Sequence, residues 1–159
     1  MQTIRVAWGT GTGPTAMSAY DAALADANLH NYNLVAVSSV VPGGAAVEAV
    51  GTAPDLGPAG NRLTVVEAHA STAGPRHVTA GLGWATSANG DPGLFYEVAD
   101  ETDADDIERR VREGLDAGRD LRDWDFEDEE VRTVSVDADP GEYASAVVVA
   151  AYGQSEPIL

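Results

Sequence analysis

The chain has 159 residues, with 26 Asp and Glu against 9 basic residues for a formal net charge of −17, and 44% of it is hydrophobic. That length and apolar share suit one folded domain, and the charge repels nucleic acid and anionic membranes. No cysteine is present and all nine basic residues are arginine, which excludes disulfide scaffolds, thiolate metal centres, thiol nucleophiles, a lysine-anchored pyridoxal phosphate and the lysine of a P-loop.

Thr3 to Trp8 reads as a short strand, and Gly9-Thr10-Gly11-Thr12-Gly13 as a glycine-rich loop behind it. Amides at a helix start attract anions, but the pattern is G-x-G-x-G-P rather than the dinucleotide-binding G-x-G-x-x-G, so the segment reads as a structural turn. Pro14 suits the first turn of a helix expected to run to about Asn28. At about 100° per residue, Met17, Tyr20 and Leu24 share one stripe, with Asp21 close to its centre. An acid on an inward face needs a partner. Asp21 therefore either pairs with one of the arginines or waits for a cationic ligand, and a guanidinium would meet it through two hydrogen bonds.

Asn31 to Val41 reads as the next strand and stops at Pro42-Gly43-Gly44; Gly43 to Asn61 reads as a long loop with a short strand at Ala46 to Val50. Ser38 and Ser39 lie at the end of the apolar strand. Adjacent serines alone carry little information, but a strand-to-loop junction is a place where a hydroxyl can reach the preceding carbonyl carbon. Arg62 to His69, His77 to Ser87 and Gly93 to Ala99 are further strands, punctuated by Gly74-Pro75 and by Asn89 to Pro92. Glu97 sits inside the last of them on the side of Phe95 and Ala99, where it is either a buried acid or a solvent-facing edge residue.

Thr102 to Asp105 resembles a capping box, and Ile107, Val111, Leu115 and Leu121 recur at helical spacing, so a second amphipathic helix is expected over Asp103 to Arg122. Sixteen of the 26 acids lie between Glu97 and Glu130. With arginine as the only base, this reads as a surface suited to a high-salt cytoplasm, where the Debye length falls to about 3 Å at 1 M, rather than as a dock for a basic partner. Val131 to Val136 and Tyr143 to Tyr152 are the last strands, followed by a tail from Gly153. Two helices over a largely antiparallel sheet system make an α+β fold, a sandwich of layers without an interdomain linker. No apolar run approaches the roughly 18 residues of a membrane span and no signal peptide opens the chain, so a soluble cytoplasmic protein is expected.

The runs Met17-Ser18-Ala19-Tyr20-Asp21-Ala22-Ala23-Leu24, Asn31 to Pro42 and Gly93-Leu94-Phe95-Tyr96-Glu97 together resemble the pyruvoyl-dependent arginine decarboxylases, in order and over most of the chain. The most specific part is the N-L-x-x-x-S-S block, Asn33 to Ser39, with the later Glu97. The resemblance implies a four-layer αββα sandwich and a proenzyme that cuts itself into residues 1–38 and 39–159. Ser39 Oγ would attack the Ser38 carbonyl with help from Asn33, and residue 39 would become a pyruvoyl group with release of ammonia. That ketone would take the α-amine of arginine and act as electron sink, with no pyridoxal phosphate and no metal, which suits a chain without lysine. By the same resemblance Glu97 protonates the carbon that carbon dioxide leaves, Asp21 holds the guanidinium and Leu24 lines the substrate site. L-Arginine would become agmatine, and the assembly would be a homotrimer or a dimer of trimers with sites between subunits. Relatives often carry two prolines after the serines, whereas here Pro42 stands before Gly43-Gly44, which leaves substrate choice open. The rival readings are a pyruvoyl decarboxylase of another amino acid and an uncleaved, non-catalytic ligand-binding trimer.

Overall fold

The computed structural model describes residues 2–159. In chain order the elements are β1 (Thr3–Gly13), α1 (Ala16–Asp26), β2 (Asn33–Ala36), β3 (Val40–Val41), β4 (Ala46–Gly51), β5 (Arg62–Ala73), β6 (Arg76–Ser87), β7 (Gly93–Asp100), α2 (Ala104–Asp120), β8 (Phe126–Ala138) and β9 (Tyr143–Tyr152). One sheet has the order β2-β5-β9-β1-β4 and the other β3-β7-β6-β8. The pairs β1–β4 and β2–β5 are parallel, and every other pair is antiparallel.

Alternation along the central strands builds three cores. On β9, Ala146, Val148 and Ala150 face the second sheet, while Val147, Val149 and Ala151 face α1. A strand covered on both sides is apolar wherever its side chains lack hydrogen-bond partners, so Ala144 to Ala151 is one unbroken buried run whose one polar member, Ser145, is satisfied by Ser71 and the Ala70 carbonyl. On the second sheet Val78, Ala80, Leu82, Trp84 and Phe95 meet the first sheet, and Ala85 and Leu94 meet Ile107, Val111 and Leu115 of α2. The layers are therefore α1, five strands, four strands, α2: the αββα sandwich that the resemblance implied.

The glycine-rich segment is not a loop. β1 runs through it to Gly13, paired with β9 in register from Ile4↔Tyr152 to Gly13↔Tyr143. A Cβ on Gly9 would lie 2.3 Å from the Ala23 carbonyl oxygen, and one on Gly11 would lie 2.4 Å from the Ala23 nitrogen. The glycines are thus the floor on which α1 lies. α2 rests on the second sheet in the same way, since a Cβ on Gly81 would meet Ile107 Cγ2 at 2.4 Å and one on Gly83 would meet Val111 Cγ1 at 2.3 Å.

This close approach decides which face of α1 turns inward. Ala19, Ala23, Leu24 and Ala27 are buried, whereas Met17 is 73% exposed and Asp21 is exposed. The inward placement of Asp21 expected from the large-residue stripe is therefore wrong: α1 lays its alanines on the glycine floor with Leu24 buried beside them, and Asp21 falls on the other side. Thr15 caps the helix in a reciprocal capping box with Ser18. For α2 the cap is Asp103, not Thr102, and its side chain accepts from the Asp106 amide at 2.8 Å. Leu121 falls beyond the helix end and is 81% exposed. β8 is longer than expected, because its charged first half continues the ladder with β6 from Phe126 onward. The expected strand Asn31 to Val41 is two strands, β2 in one sheet and β3 in the other, and the serine pair lies between them.

Candidate active site

Ser38 and Ser39 stand where the chain leaves one sheet for the other. The Val37 amide still donates to the Val65 carbonyl on β5 (2.9 Å), while the Phe95 amide on β7 already donates to the Ser39 carbonyl (2.9 Å). Between these anchors the Val40 amide donates back to the Ser38 carbonyl at 2.9 Å, closing a three-residue turn around Ser39. Tyr152, at the end of β9, donates its hydroxyl to the Val40 carbonyl at 2.8 Å, and its ring packs on Phe95 with centroids 6.1 Å apart. Burial, and after it the charge of Glu97, push the Tyr152 phenol up to about 12. The Ser39 hydroxyl donates to Glu97 Oε2 at 2.9 Å. Each anchor belongs to a different half of the sandwich, so a break between residues 38 and 39 leaves Ser38 with the first sheet and Ser39 with the second.

A cavity of about 510 Å³ opens on this junction, with Ser38, Ser39 and Glu97 on one side and Gly114, Gly118 and Arg122 on the other. That size takes an amino acid. The α2 wall is set back by its glycines: a Cβ on Gly114 would strike the Tyr96 ring at 2.3 Å, and one on Gly118 would meet Leu94 Cδ1 at 2.9 Å. Another cleft, of about 550 Å³, is lined by Thr3, Arg5, Pro42, Tyr152 and Glu156 and does not include the serines. The hydroxyl–carboxylate pair, not volume, singles out the first.

Of the residues marked in the sequence, the fold brings together Ser38, Ser39 and Glu97. Glu97 is exposed at the free edge of β7, beyond the short β3, and not buried. Asn33 lies at the far end of β2, where its side-chain amide donates to the Gly60 carbonyl at 2.8 Å. Asp21 is on the solvent side of α1, and among the described residues it makes no hydrogen bond or ion pair. Leu24 packs into the core between α1 and the first sheet. None of the three lines the serine cavity of its own chain.

Three features went unmarked in the sequence: Tyr152, the pair Gly114 and Gly118, and Arg122. Two glycines four apart on an otherwise good helix are a legible sign of close approach on one face. Arg122 had no local signal, since its significance comes from the charges around it. Seven of the nine arginines have a carboxylate within ion-pair distance, among them Arg62, Arg110 and Arg119; among the described residues Arg5 and Arg122 have none.

A family model for pyruvoyl-dependent arginine decarboxylase matches residues 3–157. A pyruvoyl-dependent arginine decarboxylase of Halobacterium salinarum is 63% identical over 159 residues, covering 100% of this chain and 99% of that protein. One from Pyrococcus abyssi is 33% identical over 139 residues, covering 87% and 85%. Among solved structures, a pyruvoyl-dependent histidine decarboxylase aligns with a TM-score of 0.49 at 19% identity over 64% of this chain and 54% of that one. With a match along nearly its whole length and relatives of that identity, the chain belongs to the pyruvoyl-dependent arginine decarboxylase family.

Proposed function

We propose that this chain decarboxylates L-arginine to agmatine with a pyruvoyl group made from its own Ser39, in the cytoplasm. The observation that carries the reading is the Ser39 hydroxyl held on the Glu97 carboxylate at 2.9 Å, in a turn whose Ser38 carbonyl is already hydrogen-bonded by the Val40 amide. These residues fit the group: a nucleophile, an acceptor for its proton and a donor on the carbonyl oxygen are what an attack of Oγ on the Ser38 carbon requires. Glu97 takes the hydroxyl proton as Oγ attacks and returns it to the Ser39 nitrogen as the peptide bond opens into an ester.

In the processed enzyme the pyruvoyl ketone supplies an electron sink for the bond to the departing carboxylate. The chain's own residues do the rest. Glu97 holds a proton beside residue 39 and delivers it to the substrate carbon that carbon dioxide leaves. Tyr96, Leu94 and the glycine face of α2 shape the cavity around the reacting atoms.

The guanidinium site comes from a second copy in a homotrimer or a dimer of trimers. Asp21 is absent from its own chain's serine cavity and lies free on α1, while Val35, Val37, Val40 and Tyr96 leave apolar surface exposed around the junction. Leu24 backs the helix face that carries Asp21.

Release of labelled carbon dioxide from carboxyl-labelled arginine tests the reading. Ser39→Ala should lose both chain cleavage and release, and Asp21→Asn should raise KM for arginine about 10- to 100-fold, the loss expected for a charge-assisted pair. A panel of amino acids in which an uncharged one is the preferred substrate would support the rival specificity. A whole chain that binds arginine without turnover would support the binding protein.

A further inference from the structure

Arg122 is unusual in a chain with 26 acids and nine bases, because it has no carboxylate partner among the described residues and lines the serine cavity. It is nonetheless firmly seated. One guanidinium nitrogen donates to the Gly118 carbonyl at 2.8 Å, and the group lies over the Trp124 ring at 5.4 Å. A cation there complements the carbonyl end of α2, but a guanidinium has five N–H donors, and Gly118 is its one hydrogen-bond partner among the described residues. All four arginines on α2 itself are engaged by acids.

The chemistry at Ser38 creates a demand for a cation. Once Ser39 Oγ has displaced the peptide nitrogen, residues 38 and 39 are joined by an ester. To reach the pyruvoyl state the proton on Ser39 Cα goes to the Glu97 carboxylate and the Cα–Cβ double bond forms. The Cβ–Oγ bond breaks, and its electron pair leaves on what becomes the Ser38 carboxylate. The resulting enamine moves a proton to Cβ, and water replaces the nitrogen as ammonia. A full negative charge thus appears on Ser38 beside Glu97, in a molecule already at −17. Arg122 is the one basic residue lining the cavity where this happens.

We propose that Arg122 stabilises the Ser38 carboxylate as it departs, so that it acts in the elimination step of self-processing and not in the preceding attack. The inference rests on the reading of Ser39 as the pyruvoyl precursor. A preformed cation on a developing carboxylate lowers that barrier without reorganisation of solvent.

The test follows freshly folded full-length protein by intact mass, with and without hydroxylamine at neutral pH, which cuts an ester quickly; the Asn89-Gly90 bond, a slow target under alkaline conditions, gives pieces of different mass. In Arg122→Gln the ester should accumulate: the chain is whole by mass, hydroxylamine splits it after Ser38, and the pyruvoyl-bearing piece forms at least about tenfold more slowly than in the wild type, a gap of about 1.4 kcal/mol. Arg122→Lys should restore most of the rate, and millimolar guanidinium chloride should speed Arg122→Ala. The lysine variant and the guanidinium addition keep the test decisive if the glutamine variant folds poorly. Wild-type rates in Arg122→Gln and Arg122→Ala would overturn the inference, as would variants stalled before the ester and resistant to hydroxylamine. A wild-type chain that never cleaves would instead overturn the underlying reading of Ser39.

Discussion

At the scale of single residues the proposed chemistry depends on one hydrogen bond. Ser39 and Glu97 are 58 positions apart and meet because β3 is short and the edge of β7 is open beyond Phe95, whose amide donates to the Ser39 carbonyl. On the proposed role of Glu97 as acceptor of the hydroxyl proton, Glu97→Gln should slow self-cleavage by roughly 100-fold or more, the scale of lost general-base assistance; densitometry of the pieces over time reads it, and an unchanged cleavage rate would remove Glu97 from that step. Tyr152 gives a separate handle. Its phenol titrates up to about 12 in the fold against about 10 unfolded, so the stabilisation from keeping it neutral is whole below about pH 10 and is lost as pH rises towards 12. Ultraviolet phenolate absorbance should show two late-titrating tyrosines, Tyr152 and Tyr20, the latter raised by burial and by donating to the Glu67 carboxylate, and Tyr152→Phe should leave one. The residue types were legible in the sequence, and so was the serine–glutamate pair through its family pattern. The position of Asp21 was not, because a helical wheel ranks faces by large apolar side chains, and α1 instead buries its alanines.

At the scale of elements, both helices are seated on glycine. Gly11→Ala drives a methyl into the α1 backbone and should destabilise by about 1–3 kcal/mol, the usual cost of overpacking. Gly81→Ala meets the β-branch methyl of Ile107 at 2.4 Å and Thr133 Cγ2 at 3.2 Å, so Ile107→Leu, which lacks that branch, should recover part of the loss, as a double-mutant cycle in urea would show. Additive losses would mean that the two do not touch. The same feature explains why the segment Gly9 to Gly13 misleads. Locally, alternating glycine is a turn signal, and what makes it a strand is the helix above and β9 beside it, neither of which is encoded nearby. β9 and the amphipathic α2 were legible because their burial is written in their own side chains. The change of sheet at Ser38 was not, since the apolar pattern of Asn31 to Val41 runs across it without a break.

At the scale of the whole molecule, charge and assembly take over. A net charge of −17 on 159 residues opposes compaction in dilute salt, and screening relieves it. The melting midpoint should therefore rise steadily from about 0.1 to 2 M KCl; a flat profile would show that the acidic surface adds no strain. Assembly is testable by complementation. Asp21→Asn supplies a junction able to process itself and Ser39→Ala supplies an intact Asp21, so co-expression should restore decarboxylation at low arginine concentration, where Asp21→Asn alone is weak and Ser39→Ala alone has none. Continued inactivity of verified mixed assemblies would place the guanidinium site within one subunit.

Intact mass spectrometry of active protein refolded in molar salt tests most directly whether residue 39 becomes the ketone. Two pieces of about 4 and 12 kDa are expected from division of the chain at residue 38, with summed masses equal to the precursor plus one water and minus one ammonia. Full decarboxylase activity in a preparation whose mass is that of one continuous, unmodified chain would contradict it.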